Sequence, residues 1–164
     1  MLNFRESGEQ GGIALALAHL GDVARAQGQL RQARDLYQTS LNIRWMIVRQ
    51  MANDAVYIGE ISSGLRMLAG VAVEQDLPVR AARLFGAGER LQEIIGLPLV
   101  GELRRIYDRD VADARQSLGD EAFAREWAEG RALSLQEAME LAIGSEGKYA
   151  QDLETALAEI GRTA

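Results

Sequence analysis

The sequence has no cysteine. Disulfides, thiolate nucleophiles and cysteine-ligated metals are therefore excluded. It has one histidine, His19, which argues against a histidine metal site or a catalytic histidine pair. Prolines are scarce: Pro78 and Pro98 both sit where a helix can begin. Aromatic residues make up only 5% of the chain, which disfavours a strand-rich fold. No basic block is present. Lysine and arginine number 18 against 24 carboxylates, interleaved along the chain, for a net charge of -6. Such a chain has little with which to neutralise phosphates, so direct nucleic-acid contact is not expected. The start lacks a basic stretch followed by an apolar run, and no run approaches the roughly 20 apolar residues of a membrane span. A cytoplasmic protein with no membrane, cofactor or metal partner is the expectation.

What remains is the material of helices: alanine, leucine, arginine, glutamate and glutamine. At 164 residues, the chain suits one domain that buries roughly 70% of its unfolded surface. Residues 1–9 are polar and are expected to fray. From Ile13, apolar positions recur at 16, 17, 20, 23 and 24, which is helical spacing. Gly28 suits a C-terminal cap. A second helix runs from about Leu30 to Met51, and its apolar arc widens over Ile43–Met51 beyond the stripe of a surface helix. Asn53-Asp54 ends it. A third helix carries Ile61, Leu65, Leu68 and Ala72. A fourth spans about 79–95, after the turn Asp76-Leu77-Pro78. A fifth covers about 99–118, with Arg104–Asp108 and Arg109–Asp113 four apart on its polar side. A sixth covers 121–133. The capping box Ser134-Leu-Gln-Glu137 opens a seventh to Ile143. Residues 144–164 read as a linker and a last amphipathic helix, about 149–160.

The first two helices return 48 positions later. Leu17, Leu20, Gly21 and Ala24 align with Leu65, Leu68, Ala69 and Ala72, and Ala33 and Tyr37 align with Ala81 and Phe85. Two helices can approach closely only where a small side chain faces them, and an aromatic one turn later fills the gap beyond. This pattern resembles the tetratricopeptide repeat, W-x2-L-G-x2-Y then A-x3-F then P. The resemblance implies an all-α, right-handed helical-repeat array of about seven to eight helices over residues 1–143, with the later helices capping it. Residues 13–143 also look like the C-terminal helical region of large bacterial regulators. These are LuxR-type and related transcription factors that carry a central nucleotide-binding ATPase. Arg80-Ala-Ala-Arg-Leu-Phe-Gly-Ala87, Gly96-Leu-Pro-Leu99 and Trp127-Ala-Glu-Gly-Arg-Ala-Leu-Ser-Leu135 carry that likeness. It implies a non-catalytic interaction or scaffolding arm in signalling or transcriptional control; the alternative is a domain that senses a small molecule or peptide in its groove.

In such arrays the first helix of each pair lines a concave groove. By register, Leu15, Ala18, His19, Asp22 and Arg25 face it from the first pair, and Ser63, Arg66, Met67, Gly70 and Glu74 from the second. The alternative is an ordinary solvated face. Trp45, Met46 and Met51 are candidates for a self-association surface, or else pack against helices five to seven. His19 and Asp22, three apart, could share a proton, but no nucleophile accompanies them and no enzyme is expected. Asp108, Asp110 and Asp113, and likewise Glu121, Glu126 and Glu129, read as solvated faces laced with arginine. The expected partner is a protein or peptide, a second copy included.

Overall fold

The computed structural model describes residues 4–51 and 55–144. Among them are seven helices and no strand: α1 (Phe4–Ala26), α2 (Leu30–Met51), α3 (Ala55–Glu74), α4 (Pro78–Ile95), α5 (Gly101–Leu118), α6 (Asp120–Ala132) and α7 (Leu135–Ile143). Asn53-Asp54 and the tail helix expected over residues 149–160 lie outside the described residues. The helices pack as two antiparallel pairs, α1–α2 and α3–α4, joined through α2–α3. α5 and α6 close over α4, and α7 wedges against α2 and α4.

The 48-residue repeat is present in the packing. Ala33 and Ala81 are both fully buried in one core cluster, as are Tyr37 and Phe85. A Cβ on Gly21 would meet the Tyr37 ring at 2.5 Å, so the glycine is what lets the ring lie against α1. The repeat also extends to a hydrogen bond that the alignment did not show. Ser40 Oγ donates to the Ala14 carbonyl at 2.6 Å, and Ser62 Oγ donates to the Gly88 carbonyl at 2.8 Å. Positions 14 and 40 become 62 and 88 on adding 48. The same two sites are bonded in each pair, with the serine moved from the second helix to the first.

The turns follow local chemistry. Gly28 and Gly96 end α1 and α4 with positive φ (73° and 68°), where an L side chain is strained. Pro78 occupies the first turn of α4, where its missing N–H costs nothing. Ser134 and Glu137 form the reciprocal capping box at the start of α7. The backbone N–H of Ser134 holds the Glu137 carboxyl below its usual range. That contribution is present above the ordinary glutamate pKa, about 4.3, and is lost as pH falls through the lowered value.

Four expectations are corrected. α1 begins at Phe4 rather than Ile13, so most of the polar start is helical, and a Cβ on Gly11 would lie 4.0 Å from the Tyr57 ring. The helix is anchored one turn further on, where Ala14 and Leu17 pack on Ile43 and Ile47. α5 starts at Gly101, after the irregular residues 97–100, the last of them extended. Arg109 turns to Asp110 (3.1 and 2.8 Å) rather than to Asp113. Among the described residues, Val56–Glu74 is apolar and long enough to cross a membrane by length and composition, where the sequence reading found no such stretch; half of it is buried within the protein. Its apolarity is that of a helix packed by α2, α4 and α5.

An aromatic chain ties the cap to the repeat. Phe85 meets the Tyr107 edge at 5.6 Å and the Trp127 face at 6.4 Å, and Trp127 leans on Phe123 at 5.2 Å. α4 and α6 cross with nothing between their backbones. A Cβ on Gly86 would strike the Trp127 carbonyl, and one on Gly130 would strike Arg83, lying 2.7 Å from its Cα. The Ala142 carbonyl accepts from Gln38 (2.9 Å) and Arg80 (3.0 Å), so α7 is pinned to both pairs.

Candidate functional site

The first helix of each pair, α1 and α3, faces α5 across a cleft of about 810 Å³. α1 contributes Asp22, Arg25 and Ala26. α3 contributes Ser63, Arg66, Met67, Val73 and Glu74. α5 and the segment before it contribute Leu99, Leu103, Ile106, Tyr107 and a row of charges. Tyr37 and Phe85, the two repeat aromatics, reach it from the second helices. A smaller hollow of about 490 Å³ lies at the α5–α6 junction, around Val111, Arg115 and Gly119.

Of the residues placed by register, Asp22, Arg25, Ser63, Arg66, Met67 and Glu74 line this cleft. Gly70 lies behind its wall, and His19 and Leu15 are exposed on α1 outside it. Ala18 is buried. His19 Nδ1 stands 3.7 Å from Asp22, both well exposed. Trp45 is half-buried against the main core, and Met46 is exposed. The Met51 side chain lies outside the described residues.

Charges brace the walls. Arg25 donates to Glu74 (Nε, 2.5 Å) on α3 and to Asp110 (2.8 Å) on α5. Burial works against the Arg25 charge, but Asp110 and then Glu74 outweigh it and hold the guanidinium above its usual range. Asp110 is only 4% exposed and also accepts from Arg109. It is therefore not on a solvated face: two arginines neutralise it at the meeting point of three helices. Gly70 makes room for this, since a Cβ there would lie 2.5 Å from both Arg25 and Asp110. Glu126 is likewise buried rather than solvated, paired with Arg83 at 2.8 Å and Arg125 at 3.3 Å.

Arg66 is held differently. It donates to Ser62 (2.9 Å), Gln92 (2.7 Å) and Ser63 (3.0 Å), all neutral acceptors. Burial pushes its pKa down, with Tyr107 acting weakly the other way. The Tyr107 hydroxyl donates to Glu89 at 2.9 Å, and burial followed by that bond pushes the phenol up. Tyr37 donates to Asp22 at 2.7 Å and is shifted up for the same two reasons. Tyr37→Phe should cost about 1.5 kcal/mol in urea unfolding, because the bond to a charged acceptor is lost while the ring packing stays.

The α5 wall was not legible in the sequence. Its signal was weak: Leu99, Leu103 and Ile106 share an apolar stripe with Tyr107, but a stripe does not say whether it faces core or cleft. Among the described residues, no group of three histidine or carboxylate side chains is placed to hold a metal ion.

No family model and no solved structure matches this chain significantly. Over 134 residues, 82% of its length, it is 31% identical to a protein of Mycobacterium bovis named "Putative HTH-type transcriptional regulator". The same identity and coverage relate it to two proteins of that name from strains of Mycobacterium tuberculosis. The chain is thus similar to one segment of these regulators and spans 14% of their length.

Proposed function

We propose that this chain is a non-catalytic helical-repeat arm of a transcriptional regulator, and that it takes a partner polypeptide segment in the cleft between α1, α3 and α5. The cleft's build carries the reading. Its apolar surface is open, while Arg25, Glu74, Asp110 and Arg109 are engaged with one another as braces. The similarity to the mycobacterial regulators supports the setting. An apolar trough of this kind suits an amphipathic helix. Five carboxylates (Asp22, Glu74, Glu102, Asp110, Asp113) line it against three guanidiniums (Arg25, Arg66, Arg109). A segment with basic residues beside its apolar stripe is favoured, and its binding weakens with salt.

A second reading, effector sensing, is supported by the volume, which falls within the roughly 300–1,000 Å³ of small-molecule sites. One pair of screens separates the two. Basic amphipathic helical peptides selected from a display library should lose at least about tenfold in affinity on Leu103→Asp, a change of about 1.4 kcal/mol. Leu103 is 62% exposed, so the variant should fold. A metabolite that raises Tm in the parent and not in the variant would instead establish sensing. Ligands of both classes that ignore Leu103→Asp would exclude the cleft.

A further inference from the structure

The internal repeat assigns a role to a surface the cleft does not use. On α3, the side facing α2 is formed by Glu60, Ile61, Gly64, Leu68 and Val71. Glu60 lies 3.1 Å from Arg44 of α2, and a Cβ on Gly64 would lie 2.7 Å from the Leu41 side chain. Ile61, Leu68 and Val71 are 0, 3 and 1% exposed. Subtracting 48 gives Gly12, Ile13, Ala16, Leu20 and Val23 on α1. There the same apolar stripe is uncovered among the described residues: Ile13, Leu20 and Val23 are 42, 55 and 53% exposed, and Ala16 is exposed. Three large aliphatic side chains in one helical row are a costly surface to leave in water.

We propose that this face of α1 is a stacking surface for a further helical pair, whose second helix lies on α1 as α2 lies on α3. The internal interface specifies the occupant's chemistry. Ala16 carries a Cβ where Gly64 has none, so the aliphatic side chain in the place of Leu41 is one methyl shorter or turns its tip aside. An aliphatic ridge one turn to either side meets Ile13, Leu20 and Val23. A basic residue in the place of Arg44 finds Gly12 where α3 offers Glu60, so the native occupant carries a neutral side chain there. The surface is distinct from the Trp45–Met46 region and from the cleft.

The test places such a pair on the full chain. Residues 7–54 are duplicated immediately before residue 7, so that the copied α2 precedes α1 in the 48-residue register. The junction helix carries Gly12→Glu to meet the copied Arg44 and Ala16→Gly to admit the copied Leu41. The fusion should melt in one cooperative transition, at a higher Tm than the parent. Leu20→Glu with Val23→Glu in the junction helix should abolish the gain, yet leave the Tm of the parent chain nearly unchanged. Two separate transitions, or a gain indifferent to those glutamates, would overturn the proposal. So would a parent that is a dimer by light scattering and that Leu20→Glu/Val23→Glu splits, which assigns the face to a second copy. A parent destabilised equally by the two glutamates and by removal of residues 145–164 assigns it to the tail instead.

Discussion

Replacing Gly130 with alanine is expected to destabilise the protein by about 3 kcal/mol, although alanine is the better helix former. In an exposed helix, glycine to alanine gains about 0.5–1 kcal/mol. At Gly130 the new methyl would overlap the Arg83 backbone of α4. A backbone cannot step aside as a side-chain tip can, so α4 and α6 must move apart. That separation also opens the stacked Phe85–Trp127 contact, so native tryptophan fluorescence should shift with the stability loss. Gly12→Ala supplies the control: nothing lies within 4 Å of a Cβ there, and a gain of about 0.5–1 kcal/mol is expected. Urea unfolding of the two variants beside the parent separates close approach from propensity. Equal and small effects would mean that α4 does not cross α6 closely at Gly130.

Asp110→Ala is expected to cost about 3 kcal/mol or more, because it leaves Arg25 and Arg109 without their shared carboxylate. Arg25 retains Glu74, but that carboxylate comes from α3 alone and no longer ties α1 to α5. Removing both charges is milder than removing one. Asp110→Leu combined with Arg25→Met should recover a large share of the loss, since no buried charge is then stranded. The non-additivity, read by urea unfolding from the cycle of Asp110→Leu, Arg25→Met and their combination, should exceed about 1 kcal/mol. Additive losses would show that the two groups do not meet. The cleft should also loosen: with its brace gone, the α5 wall is held by Tyr107 and the Leu103–Ile106 stripe.

The repeat was legible because its signals are local. Ala33 and Tyr37, and Ala81 and Phe85, are each four apart on one helix, and helical spacing reports which side faces the partner helix. The capping box at Ser134 is local in the same way. Gly86 and Gly130 were not legible. As letters they look like Gly12, and only the crossing of α4 over α6 distinguishes them. Asp110 and Glu126 were misread for a related reason. A carboxylate among arginines looks solvated until the fold brings Arg25 across from 85 residues away, or Arg83 from 43. Arg109 had two carboxylates within reach, at one and four residues. The choice fell to Asp110 because burial raises the demand of that carboxylate for donors, whereas Asp113 stays in contact with water. Half of the cleft was readable from repeat register, since α1 and α3 obey it. The α5 wall belongs to the cap, which has no second copy to align against.

Amide hydrogen exchange on the full chain, with and without a saturating basic amphipathic peptide selected for binding, tests the cleft most directly. Slower exchange is expected in three stretches far apart in sequence and nowhere else: residues 22–26 of α1, 63–74 of α3 and 99–113 before and within α5. Protection that spares residues 99–113, or that gathers on α6 and α7, would contradict it.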